Sequence, residues 1–214
     1  VDLRGHGNGN ITTSPDKYTI NLVSKDIIEV LNEVGIEKAH FVGISLGTIL
    51  IRELAEAYPE RMQSMVLAGA VIRLTPRLHF LIGTANAFKK IVPFMWLYRL
   101  FAWILMPKKT HETSRSLFVQ EAKKIKQKEF LRWLTLTGDI AKYLIKINEK
   151  ESDVPCLYIM GEEDYVFLEP VKRLVKQFRN TELSVLENSG HVCNVDQAQK
   201  FNEVSLNFLN NCIS

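Results

Sequence analysis

Apolar residues recur along this chain with two alternating periods, and the alternation predicts an architecture. In residues 20–34, Val23, Ile27, Val30 and Val34 fall at helical spacing until Gly35 ends the run. Ala39, Phe41 and Val42 then form a short buried-strand pattern, and Leu46, Leu50, Leu54 and Tyr58 recur every four residues until Pro59. A second apolar stretch, Met65 to Ala68, is capped by Gly69, and Pro155 introduces a third, "CLYIM". Val171, Leu174, Val175 and Phe178 return to helical spacing, and "ELSVLE" alternates as a strand does. A last helix over Val195 to Leu209 would bury Phe201, Val204, Leu206 and Phe208. Strands alternating with helices imply an α/β fold with a mainly parallel sheet covered by helices.

Between Ala70 and Glu151 the pattern changes character. "IVPFMWLYRLFAWILMP" is the most apolar run, yet prolines bracket it and Arg99 interrupts it, so it is too short and broken for a membrane span. From Thr110 to Lys150 the composition turns basic and helical. Residues 71–150 hold 16 of the 27 Lys and Arg but 5 of the 24 Asp and Glu, a net of +11 inside a chain whose total is +3. The expected division is a first part of the core over 1–70, a helical cap or lid over 71–150, and a second part of the core over 151–214. With 214 residues, 46% of them hydrophobic, that core is large enough to fold as one α/β domain. Cys156, Cys193 and Cys212 cannot all pair and no secretory signal leads the sequence, so a reduced, cytoplasmic setting is expected. No zinc spacing, phosphate loop or dinucleotide fingerprint is present, so neither metal, cofactor nor nucleic acid is expected.

Candidate chemistry sits where the periods switch. In "VGISLG", Ser45 stands between Gly43 and Gly47 at a strand-to-helix junction with no residues left for a loop. By chance G-x-S-x-G occurs in roughly one chain in fifteen of this length, so the junction and its partners carry the argument. A turn this tight strains the serine backbone, and the two glycines relieve the crowding around it. A serine hydroxyl needs a positioned base, and the base needs a third group to orient it. In parallel sheets such groups gather at the carboxyl ends of strands. Asp164 follows "CLYIM" in "GEEDYVF", and His191 follows "LSVL" in "NSGHVC". His191 is the only histidine after Asp164, whereas Glu162 and Glu163 compete with Asp164 for the acid role. No acid follows the strand ending at Ala68, and Cys193 reads as packing, with no base evident for it.

"DLRGHG", "VGISLG", "GEED" and "SGH" together resemble the α/β-hydrolase-fold superfamily, of the lipase, esterase and lactonase kind. The resemblance implies that "DLRGHG" closes the fourth strand, with Asp2, Arg4 and His6 structural; Gly9 stands where the family often has serine. It also implies three strands and an oxyanion loop upstream of "DLRGHG", so the chain is expected to be the larger C-terminal part of a longer hydrolase. Of the oxyanion donors, the Leu46 N–H can be named. Serine as nucleophile separates this chain from the dehalogenase and epoxide-hydrolase branches, whose resemblance-implied nucleophile is aspartate.

The expected function is cofactor-independent hydrolysis of a small-molecule ester, lactone or related acyl compound. Ser45 would be nucleophile, His191 base and acid, Asp164 orienter, and Leu46 oxyanion donor. Carbon–carbon bond hydrolysis and perhydrolysis use the same triad, and a ligand sensor or scaffold with little turnover is the alternative of another class. For the middle segment two readings stand. Either it is an ordinary lid with Lys123, Lys124, Lys126 and Lys128 solvated, or its apolar stretch from Ile91 to Met106 lines an acyl pocket while its basic face attracts an anionic substrate or membrane surface. Oligomeric state stays open.

Overall fold

The computed structural model describes residues 1–7, 17–88 and 92–212, so the departure at Gly9 and residue Ile91 lie outside the described residues. In chain order the elements are α1 (Ile20–Glu33), β1 (Ala39–Ile44), α2 (Leu46–Ala57), β2 (Met62–Ala68), α3 (Pro76–Phe88), α4 (Phe94–Leu105), α5 (Glu112–Ala122), α6 (Gln127–Ile147), β3 (Cys156–Gly161), α7 (Leu168–Val175), β4 (Thr181–Leu186), α8 (Cys193–Asp196) and α9 (Ala198–Asn211). Among the described residues the strands form one four-stranded sheet in the order β1-β2-β3-β4, and every neighbouring pair is parallel. Helices α3 to α6 all fall between β2 and β3, inside the basic interval.

Strand alternation sorts the core into two layers. Met65, Leu67, Cys156, Tyr158 and Met160 face one way, into a cluster shared with α1, α2 and α6. Val66, Ala68, Leu157 and Ile159 face the other way, against Phe201 and Phe208 of α9. All six residues of β3 are buried, as a central parallel strand requires.

Two helical expectations shift. The buried stripe of α1 centres on Ile20, Ser24, Ile27 and Leu31, while Val30 sits at its margin and Val34, the C-cap, is exposed. The expected last helix is two: Gln197 leaves helical geometry between α8 and α9, so Phe201, Ser205 and Phe208 turn inward and Leu206 outward. Val204 is half-buried.

The "DLRGHG" segment is tied to helices. Arg4 makes a two-pronged ion pair with Asp26 of α1, its Nε 2.5 Å from one carboxylate oxygen. The Trp133 indole N–H donates to the Arg4 carbonyl at 3.2 Å, and the His6 ring meets Trp133 edge-on at 5.2 Å. Burial pushes the His6 pKa down. No helix among the described residues is long and apolar enough to cross a membrane.

Candidate active site

The carboxyl ends of the four strands lie along one edge of the sheet, and hydrogen bonds of the sheet type run just past them. Ser45 N–H donates to the Ala68 carbonyl at 2.9 Å, Gly69 N–H to Ile159 at 3.0 Å and Glu162 N–H to Leu186 at 2.9 Å. The loops that follow are therefore fixed to the sheet before any side chain acts.

Ser45 sits at φ +53°, ψ −113°, a conformation rare for any residue with a side chain, directly ahead of α2. A Cβ at Gly43 would come within 2.9 Å of the Gly47 carbonyl, so Gly43 permits the turn. The expectation that Gly47 does the same is corrected: a Cβ there, at the second residue of α2, meets nothing within 4 Å. Thr48 locks the turn from inside. Its hydroxyl donates to the Ser45 carbonyl at 2.6 Å and accepts the Val71 N–H at 3.3 Å. Leu46 is the first residue of α2, so its N–H belongs to the positive end of the helix, one residue after Ser45.

The structure brings three of the sequence candidates together. Ser45 Oγ lies 2.9 Å from His191 Nε2, and His191 Nδ1 lies 2.8 Å from Asp164 Oδ2. An ionised carboxylate only accepts, so Nδ1 carries the proton and Nε2 presents its lone pair to the serine hydroxyl. His191 and Asp164 are buried. Asp164 Oδ1 accepts the N–H groups of Val166 and Phe167, at 3.3 and 3.0 Å, which aims its other oxygen at the imidazole. The Phe167 ring packs 5.2 Å from the His191 ring.

The competing acids go elsewhere. Glu163 turns toward the segment ahead of α5, pairing with Lys108 and, at 2.7 Å, with Nε2 of the buried His111. The neighbouring Lys108 ammonium holds the Glu163 carboxyl below the usual carboxylate range. Glu162 accepts the Asn188 N–H at 3.5 Å. His40 pairs with Ser64. Cys193 is buried, and desolvation, followed by the charge of Asp164, pushes its thiol up to about 12.

Gly69 is a site residue that the pattern of the sequence did not single out. At φ +52°, its missing Cβ would stand 2.4 Å from the His191 carbonyl and 3.3 Å from Nδ1. Gly161 similarly admits the Ser189–Gly190 backbone, whose carbonyls would lie 2.4 and 2.1 Å from an added Cβ.

Beside Ser45 and His191 opens an apolar hollow of about 130 Å³, lined by Leu46, Ile49, Leu74, Leu78, Ile82, Phe101, Leu105, Ile140 and Phe167 among others. A second hollow of about 220 Å³ shares Leu46, Ile82 and Phe101 with it and continues among Leu97, Tyr98, Phe118, Phe130, Trp133 and Leu134. Among the described residues, no Lys, Arg, Asp or Glu lines either one. No cluster of metal-binding side chains occurs among the described residues.

A family model described as the alpha/beta hydrolase fold matches residues 1–198. The 2-hydroxy-6-oxononadienedioate/2-hydroxy-6-oxononatrienedioate hydrolase of Paraburkholderia phymatum is 29% identical over 225 residues, covering 98% of this chain and 75% of that protein. The 3-oxoadipate enol-lactonase 2 of Acinetobacter baylyi is 26% identical over 209 residues, covering 94% of this chain and 74% of that protein. The crystal structure of the enol-lactonase from Burkholderia xenovorans superposes with a TM-score of 0.80 at 19% identity, over 98% of this chain and 79% of that one.

Proposed function

Because the chain belongs to the alpha/beta hydrolase family, we propose that it is a serine hydrolase cleaving a largely apolar carboxylic ester or lactone through an acyl-enzyme. One observation carries this reading: the Ser45–His191–Asp164 hydrogen-bond chain opens directly into a hollow whose described lining is otherwise apolar. Ser45 Oγ attacks the acyl carbonyl as His191 Nε2 takes its proton. Asp164 stabilises the imidazolium that forms, and the Leu46 N–H donates to the developing oxyanion. His191 then returns the proton to the leaving alkoxide, and water repeats the sequence in reverse on the acyl-enzyme. Helices α3 to α6 act as the cap, since Ile82, Phe101 and Ile140 supply walls of the first hollow and Phe118 of α5 a wall of the second.

Carbon–carbon bond hydrolysis is the second reading, favoured by the likeness to the Paraburkholderia phymatum hydrolase. That relative is named for a dioate and the Acinetobacter baylyi one for an oxoadipate enol-lactone, so both act on substrates bearing carboxylate. Such a carboxylate would gain no cationic partner from the described residues lining either hollow, which leaves its desolvation uncompensated by them. Esters and lactones without that charge fit better.

Fluorophosphonate labelling tests the mechanism, with Ser45→Ala as the control. Stoichiometric labelling of wild type and none of the variant is expected. A wild-type protein that stays unlabelled overturns the hydrolase reading in favour of a ligand sensor or scaffold.

A further inference from the structure

Helix α4 reads FMWLYRLFAWIL, and Arg99 is its one charged residue. A helix apolar all the way round belongs inside a core or against lipid. Its inner face obeys: Ala102 and Leu105 are buried, and Leu97, Tyr98 and Phe101 line the larger hollow. Its outer face does not. Trp96, Leu100 and Trp103, at i, i+4 and i+7, stand on one stripe with exposures of 68%, 45% and 60%. Single exposed apolar residues are ordinary, but two tryptophans and a leucine in one row form a patch that needs a partner.

Charge beside the patch says which partner. Among the described residues, a surface hollow beside Trp103 is lined by Arg99, Arg115 and Lys123 against one acid, Glu112. It lies within the segment of net charge +11. A second copy of this chain would bring the same positive excess to the contact, and like charges facing each other disfavour it. Anionic phospholipid headgroups complement the cations, while indole rings favour the depth at which headgroups meet acyl chains.

We propose that the outer face of α4, with Arg99 and Lys123 beside it, docks this protein on an anionic phospholipid bilayer. On the serine-hydrolase reading above, docking sets the hollow that leads to Ser45 beside the lipid, so that an apolar substrate enters from the bilayer instead of from water.

Co-sedimentation with phosphatidylcholine–phosphatidylglycerol vesicles, against pure phosphatidylcholine vesicles, tests the surface. Ser45→Ala protein serves for binding, so failed turnover condemns the hydrolase reading without touching this one. Binding to the mixed vesicles should exceed binding to the neutral ones, and should fall from low to physiological salt. Arg99→Gln with Lys123→Gln should weaken it roughly tenfold or more. Trp96→Ala with Trp103→Ala should abolish it, while leaving hydrolysis of a water-soluble ester unchanged. Should that double variant fail to fold, quenching of native tryptophan fluorescence by brominated lipid replaces it: quenching supports the proposal and its absence overturns it. No binding to the mixed vesicles, or equal binding by wild type and variants, overturns it. So does a dimer that the tryptophan substitutions dissolve, since a second copy would then cover the face.

Discussion

At the scale of single residues, Asp164 and Glu163 are adjacent carboxylates with opposite tasks. Asp164 holds two backbone N–H groups on one oxygen and His191 on the other, so Asp164→Asn can keep the turn. Its amide nitrogen would then face Nδ1 and impose the wrong tautomer. Turnover should fall by roughly three to four orders of magnitude with little change in melting temperature. His191→Ala should cost roughly three orders or more, whereas Glu163→Gln should leave turnover within a small factor. The effect of Glu163→Gln belongs to stability: the Lys108 pair contributes above the normal carboxylate pKa and is lost as pH falls through the depressed value, so acid melting curves should flatten. Desolvation pushes the Cys156 thiol up to about 12, as it does Cys193. Iodoacetamide near neutral pH should therefore reach the half-buried Cys212 first in folded protein, read by mass spectrometry. Ser45 and His191 were legible in the sequence because chain order and strand ends leave few choices. Asp164 is named over Glu162 and Glu163 by the sequence reading, but what separates the three leaves no mark in the pattern: a turn after β3 brings Asp164 to His191 and Glu163 to Lys108 and His111.

Elements place these residues through close approaches that no periodicity records. Thr48 looks like any polar residue of α2, yet it joins the Ser45 turn to Val71. Gly69 ends β2 as many glycines end strands, and its contact with His191 joins positions far apart in the chain. Gly69→Ala should strain a left-handed backbone and push on the His191 carbonyl together. We expect kcat to fall by roughly a hundredfold, because displacements near 1 Å cost that much, with labelling of Ser45 slowed in parallel. Gly47→Ala, facing open space, should be tolerated in comparison. Helical faces were legible at their centres and not at their margins. Val30 and Val34 share the period of α1 but lie beyond the surface its partners cover, and the kink at Gln197 left no mark in the apolar pattern.

Across the whole molecule, the sheet provides four aligned strand ends and the basic interval provides a roof of apolar side chains. If the hollows take the acyl chain, each buried methylene adds about 0.8 kcal/mol. On p-nitrophenyl esters kcat/KM should then climb from acetyl toward medium chain lengths and stop where the space ends. A flat series would mean that the acyl group lies elsewhere. The order of strands has another consequence, in time. β2 and β3 are neighbours in the sheet, yet α3 to α6 intervene between them in the chain. Closing so long a loop adds little to the equilibrium cost, which grows only with the logarithm of length, but contacts between distant segments form slowly. Ser45 lies on the early side of that seam, and Asp164 and His191 on the late side. On dilution from denaturant, the circular-dichroism signal of the helices should recover first, and competence for fluorophosphonate labelling should lag behind it. Ser45 would wait, already on its turn, for His191 to arrive.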